Sequence, residues 1–342
     1  MHTSRTSKQS ARLARAPTPN RLGQGVPVSP VDLQPQDKIL ITGARGLVGS
    51  ALAAVLTSAG YTNLLLVGSN DVDLRDEHRT NLLFQSEHPD VVFHLAARVY
   101  GLMGNLANKS NVFIDNVRIN TNVIESCRRS NVRKVIAMGS AAIYGDSVPL
   151  PMRESDVWTG PPHASERPYA HAKRTMLAQL ETYREHDGLS FAYCISTNLY
   201  GPNDKFDEHW GHVIPSLISK FHSANASGKP VSVWGTGAPT RDLLYSYDVA
   251  IALRLIAERG QGVINLATGE SHTIRQIVEL IADVSDYTGS IAWDGSKPDG
   301  QQQRSYDVTI LNALGFTPRW SLKEGLRETY RWYEANAATA RR

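Results

Sequence analysis

From Lys38 onward the chain alternates short apolar runs with longer stretches in which apolar residues recur every three or four positions. Lys38-Ile39-Leu40-Ile41-Thr42 has the continuous pattern of a strand covered on both faces. It runs into Gly43-Ala44-Arg45-Gly46-Leu47-Val48-Gly49, after which Ser50 to Ala59 carries Leu52, Val55 and Leu56 at helical spacing and stops at Gly60. Asn63 to Val67, Asp90 to Leu95 and Lys134 to Met138 repeat the strand pattern, with a helical stretch around Arg79 to Ser86. Strands alternating with helices predict an α/β fold built on a doubly wound parallel sheet. Near the end, Ser321-Leu322-Lys323-Glu324 is a capping box opening a last helix whose Leu326, Tyr330 and Tyr333 form an apolar stripe.

Composition narrows the class. The 342 residues are 41% hydrophobic and 20% charged, enough for a sizeable core. No apolar run approaches the ~18 to 20 residues that a membrane-spanning helix needs. The net charge of +3 resides in residues 1–37, where Arg5, Lys8, Arg12, Arg15 and Arg21 face only Asp32 and Asp37, so the remaining body is neutral and offers no nucleic-acid surface. Five of the 17 prolines and few bulky apolar residues fall in the same segment, which predicts a disordered tail, a solvated extension rather than the transit peptide that its Arg- and Ser-rich start resembles. Cys127 and Cys194 lie far apart without CxxC spacing, which argues against disulfides or a metal site and fits a reducing, cytoplasmic compartment.

Chemistry enters at the glycines. In a strand-to-helix turn they let backbone approach a pyrophosphate, and the following helix N-terminus offers unpaired N–H groups to it. Tyr169-Ala170-His171-Ala172-Lys173 sets a phenol and an ammonium one helical turn apart, where the cation would favour the phenolate. Ser140, closing the strand Lys134 to Met138, is placed to hydrogen-bond a carbonyl oxygen. A glycine turn, a serine at a strand end and a Tyr/Lys pair, in that order, form a set that chance pairs on surface helices do not explain.

These motifs resemble those of the extended short-chain dehydrogenase/reductases, which have a Rossmann sheet with a smaller C-terminal substrate-binding lobe. Within them the chain is similar to the GDP-L-fucose synthases over about nine-tenths of its length. The similarity includes Ser196 to Pro202, His212-Val213-Ile214-Pro215, Val233 to Gly237 followed by Arg241, and Ser296 to Gly300. The resemblance implies a GDP-sugar substrate and NADP(H), with NAD(H) left open. It places Ser140, Tyr169, Lys173 and His212 in catalysis. Gly43, Arg45, Gly46, Leu47, Val48, Gly49, Asp73, Leu74, Leu95, Ala96, Ala97, Asn116, Thr197, Asn198 and Leu199 would surround the cofactor, together with Tyr169, Lys173 and His212. Ser140, Asn198, Lys220, Trp234, Arg241, Lys297 and Arg304 would face the substrate. Trp234 is open between sugar contact and core, and Arg304 and Lys297 between substrate contact and solvent.

Two departures from the family pattern matter. Where the family reads Gly-Ser-Ser-Cys-Ile-Tyr, this chain has Gly139-Ser140-Ala141-Ala142-Ile143-Tyr144, so the acid/base cysteine of epimerisation is Ala142, whose methyl carries no proton. His212, matching the family's other epimerisation residue, remains, its role open between proton exchange, a substrate hydroxyl ligand and structure. At the end of the second strand, Val67 is followed by Gly68-Ser69-Asn70, without the carboxylate that binds an NAD ribose about 20 residues past the glycines. Arg45 matches a family arginine facing the 2′-phosphate, while a second, near Ser69, is missing. The resulting expectation is NADPH-dependent reduction of the 4-keto group of a GDP-4-keto-6-deoxy hexose or heptose with little or no C3/C5 epimerisation; the alternatives are full epimerase/reductase activity or another NDP-sugar epimerase, and a cofactor-binding regulator without turnover. The expected division is 38–198 for the dinucleotide, with 242–267 returning to it, and 199–241 with 268–342 for the nucleotide sugar. By resemblance, helices around Asn111 to Arg129 and Tyr169 to His186 would pair in a homodimer.

Overall fold

The protein is described here by a computed structural model covering residues 33–99, 107–208, 211–296 and 301–342. The first five strands are β1 (Ile39–Thr42), β2 (Leu64–Val67), β3 (Val91–His94), β4 (Lys134–Met138) and β5 (Phe191–Ser196). Four short ones follow: β6 (Asn198–Tyr200), β7 (Val231–Trp234), β8 (Thr240–Arg241) and β9 (Leu243–Tyr245). β10 (Gly262–Leu266), β11 (His272–Thr273) and β12 (Ile291–Asp294) complete the set among the described residues. The central sheet runs β10-β5-β4-β3-β1-β2 with every pairing parallel.

Each strand of this sheet needs a crossover, and helices α1 (Leu47–Ser58), α2 (Glu77–Glu87), α3 (Lys109–Arg129), α4 (Arg167–Asp187) and α6 (Ser246–Arg259) cover its two faces, the lobe helix α5 (Val213–Ser227) lying between the last two in sequence. Alternation along β1 shows both faces at once. Leu40 packs with Phe84, Val123 and Leu177 in one core, while Ile39 and Ile41 join Leu52, Leu253 and Ile256 in the other. All three β1 side chains are fully buried, and each such burial stabilises the fold by roughly 1.5–3 kcal/mol.

A third core, around Phe206, Ile218, Phe221, Val233, Ile277 and Tyr333, belongs to a smaller lobe. That lobe holds α5, α7 (Ile274–Val284) and the final helix α9 (Leu322–Asn336); the five-residue α8 (Thr309–Ala313) lies against β10 and places Leu311 in the second core. Two small ladders, β12 with β7 and β11 with β8, complete the lobe, and a parallel β6–β9 pair lies where the chain passes between the two parts. The capping box opens α9 as its sequence predicts: Ser321 Oγ accepts from Glu324 N at 3.3 Å and Glu324 Oε2 accepts from Ser321 N at 2.9 Å.

Two expectations are corrected. The first helix begins at Leu47 rather than Ser50, which puts Gly49 in its first turn, where a Cβ would stand 2.3 Å from Gly43 O and only glycine fits. Residues 33–37, expected in the disordered tail, are part of the folded structure. Leu33 is buried in the second core, and Asp37 accepts from Gln34 N and pairs with Arg133 at 2.5 Å. The basic segment up to Asp32 lies outside the described residues, as does Lys297. No helix among the described residues is long and apolar enough to cross a membrane.

Candidate active site

The strand order reverses between β1 and β3: the chain leaves β1 for β2 on one side and β3 for β4 on the other. Turns beyond the carboxyl ends of strands at such a point splay apart and leave a crevice. Here a cavity of about 620 Å³ opens there, walled by the turns after β1, β3, β4 and β5 and, opposite, by α5, β7 and β8 of the small lobe.

On the sheet side the glycine turn is built for backbone, not side chains. Gly43 has φ +71°, and a Cβ on it would meet Ala96 N at 2.9 Å, so the turn after β1 rests directly on the turn after β3. Gly46, by contrast, faces open space, with only Gly43 O within 3.4 Å of where its Cβ would be. It is the N-cap of α1, with no side-chain cap and no acidic residue in the first turn, so the N–H groups of that turn are left for an anion. Gly43, Gly46, Leu47, Val48 and Gly49 all line the cavity, as do Leu95 and Ala97. A dinucleotide diphosphate fits this cradle, which any side chain at Gly46 would begin to fill.

Ala96 and Asn116 act from behind. Ala96 N and Leu95 N donate to Thr42 Oγ1, which is also hydrogen-bonded to His94 Nδ1 at 2.9 Å. Burial, with the nearby Lys173, lowers the His94 pKa to about 3, so this imidazole is a neutral brace, with Nε2 against Asn120 Oδ1. Asn116 closes the following loop by accepting from Arg98 N and donating to Arg98 O and Val112 O. Asp73 and Leu74 also lie off the cavity wall: hydrogen bonds from Arg75 lower the Asp73 pKa to about 2, and Leu74 is buried.

Arg45 lies outside the cavity too, over Gly68 at the end of β2, and donates to Asp71 Oδ1 at 2.9 Å. Asp71 Oδ2 in turn accepts from Gly68 N at 2.8 Å. A carboxylate therefore does stand at this strand end, contrary to the reading of Gly68-Ser69-Asn70; Asp71 is brought back by the turn, a step the linear spacing does not reveal.

Ser140, Tyr169 and Lys173 meet on the cavity floor. Ser140 caps the short 3₁₀ turn Ala141–Ile143, its Oγ accepting from Ala142 N at 3.2 Å. Tyr169 and Lys173 lie on the first two turns of α4, opened by Pro168 in a position that tolerates proline. Lys173 Nζ donates to Met138 O at 2.7 Å and stands 5.8 Å from the Tyr169 ring centre. Burial lowers the Lys173 pKa to about 7. The phenol moves the other way: burial and the Glu166 carboxylate raise its pKa. The expected lowering of the phenol by an adjacent ammonium gives way to a phenol held protonated. Ala141 reaches the cavity wall; Ala142 is buried and contributes only a methyl to the packing beside it.

Thr197, Asn198 and Leu199, just beyond the end of β5, line the cavity, as does His212, the N-cap of α5, and Thr197 Oγ1 donates to Asp242 O. Across the cavity, Lys220 Nζ sits 5.5 Å from the centre of the Trp234 ring and donates to Ser232 O, while Trp234 itself is 46% exposed, at the rim rather than in the core. Arg241 donates to Thr240 O and Gln301 O. Arg304 has only 11% of its side chain exposed and pairs with Glu166 at 2.5 Å, so it is not a solvated side chain. Sequence reasoning missed Glu166, Asp204 and Arg341, which also line the cavity. Among the described residues no cluster of His, Cys, Asp or Glu is placed to hold a metal.

Comparison with known proteins agrees with this architecture. Residues 39–267 match the family described as NAD dependent epimerase/dehydratase family. GDP-L-fucose synthase 1 of Arabidopsis thaliana is 37% identical over 302 residues, covering 87% of this chain and 94% of the relative. A solved GDP-L-fucose synthetase from Naegleria fowleri bound to NADP superposes with a TM-score of 0.85 at 32% identity, over 92% of this chain and 98% of that one. A GDP-6-OMe-4-keto-L-xylo-heptose reductase from C. jejuni does so with a TM-score of 0.84 at 25% identity, over 89% and 99%. With a glycine turn, a Ser/Tyr/Lys floor and a family match over most of its length, this chain belongs to the NAD dependent epimerase/dehydratase family.

Proposed function

We propose that the protein reduces the 4-keto group of a GDP-4-keto-6-deoxy sugar, hexose or heptose, using NADPH, with little or no epimerisation at C3 and C5. The observation that carries this reading is the content of the cavity floor: Ser140, Tyr169 and Lys173 are all there, and the neighbouring position 142 offers no ionisable group. Support comes also from the two kinds of similar protein, a fucose synthetase bound to NADP and a GDP-keto-heptose reductase.

The cofactor, when bound, supplies the hydride. The Ser140 hydroxyl and the Tyr169 phenol would hold the ketone oxygen, and Tyr169, kept protonated by burial and by Glu166, would deliver the proton that the new alkoxide needs. Lys173, anchored on Met138 O, would position the nicotinamide ribose, and its pKa near 7 makes it a ready source of the replacement proton. Lys220, Arg241 and Arg304 give the opposite wall the cations that a nucleoside diphosphate requires. Of the two acid/base positions that the resemblance assigns to epimerisation, only His212 keeps an ionisable side chain, enough to exchange a proton on one face but not to take it from one face and return it to the other. The paired helices α3 and α4, with Phe113 and Ile114 exposed on α3, are the surface we assign to a homodimer.

The test is a panel of nucleoside-diphosphate 4-keto sugars with NADPH and NADH, following cofactor absorbance. The reading requires NADPH consumption with a GDP-4-keto sugar; consumption with none of the panel refutes it.

A further inference from the structure

The glycine cradle has a cation beside it that none of its motifs contains. Beyond α9 the chain turns back, and Arg341 O accepts from Phe206 N at 2.8 Å, fastening this segment to the loop after β6. The Arg341 side chain then extends over the mouth of the glycine turn. Its Nη1 lies 3.8 Å from the position a Gly46 Cβ would take and 3.4 Å from Asn203 O, and the residue lines the same cavity.

The setting is electrostatically prepared. Asp204, buried in the cavity wall, uses Oδ1 to accept from Lys205 N, and its Oδ2 has no hydrogen-bond partner. Burial raises its pKa, and the nearby His212 and Arg341 and the hydrogen bond from Lys205 N offset part of that rise, with no direct ion pair between Asp204 and Arg341. A long bond to one carbonyl leaves most of the five guanidinium donors available. Gly46, which the guanidinium approaches, is the N-cap of α1, whose first turn has no side-chain cap and no acidic residue.

We infer that Arg341 is a cofactor-binding residue, its guanidinium meeting the dinucleotide diphosphate beside the glycine turn. This rests on the dinucleotide reading of the cavity and adds to it a clamp supplied by the last turn of the other lobe. The division of labour with Arg45 is then explicit: Arg45, at the end of β2, meets the 2′-phosphate that only NADPH carries, and Arg341 meets the diphosphate common to NADPH and NADH.

The experiment measures dissociation constants of the cofactor-free, full-length protein for NADPH, NADH and GDP by calorimetry, in the unaltered chain and in Arg341→Gln and Arg341→Lys. The backbone bond to Phe206 survives both substitutions, and matching thermal transitions confirm the fold. Arg341→Gln raises the constants for NADPH and NADH by the same factor, roughly tenfold or more for a lost charge-assisted bond, and leaves GDP unchanged. Arg341→Lys recovers part of the loss, the point charge remaining without the fork. Constants unchanged from the parent overturn the inference, as does a rise for NADPH alone or a loss confined to GDP. If the unaltered chain binds neither dinucleotide, the reading of the cavity fails with it.

Discussion

The Lys173 ammonium donates to the Met138 carbonyl at 2.7 Å in a site so enclosed that its pKa falls to about 7. The fold therefore disfavours the charged form relative to the unfolded chain, where the lysine titrates at 10.5. The sign follows by linkage. Above the unfolded value both states hold a neutral amine and no penalty exists; the penalty grows as pH falls toward 7 and is constant below. Lys173→Met is then expected to gain stability over the parent progressively between pH 10 and about 7, by an amount on the order of 5 kcal/mol, with the gap level at lower pH. Urea unfolding across that range checks it, and a gap independent of pH would contradict the assignment.

Tyr169→Phe removes the proton donor and little volume. Turnover of a keto sugar should fall by at least ~10², with the NADPH dissociation constant within a few-fold of the parent. Single-turnover kinetics separate the two effects. Near-normal turnover would move the proton source elsewhere.

Arg45 and Asp71 should shift cofactor choice in opposite directions. Arg45→Ala is expected to weaken NADPH much more than NADH if it removes the cation that we assign to the 2′-phosphate. Asp71→Asn keeps an acceptor for Gly68 N but frees Arg45 from its partner, and is expected to tighten NADPH a few-fold, as suits an exposed ion pair. Equal changes for both cofactors would place the pair outside the ribose site.

The parts of the site that could be read from the chain are those whose chemistry is local. Gly43, Gly46 and Gly49 announce a backbone turn because strand and helix patterns flank them, and Tyr169 with Lys173 share a helix face by spacing alone. Order, too, sets the sheet: alternating strands and helices lead to the parallel β10-β5-β4-β3-β1-β2 arrangement. What spacing cannot carry is the meeting of distant segments. Arg304 and Glu166 are separated by 138 positions, and nothing in either neighbourhood announces the other. Arg341 reaches the glycine turn only because α9 packs in the third core and Phe206 holds the segment that follows. Even the direction of the Tyr169 shift was hidden, since a nearby lysine suggests a lowered phenol, while burial and Glu166 raise it.

The central claim is reduction at C4 without inversion at C3 and C5, and the most direct measurement is NMR of the product formed from GDP-4-keto-6-deoxymannose and NADPH in D₂O. With Ala142 in place of a proton-carrying side chain, the expected product is a C4 alcohol that keeps the substrate's configuration at C3 and C5, with deuterium only where His212 exchanges a proton on a single face. A product inverted at both carbons and deuterated at each would contradict it.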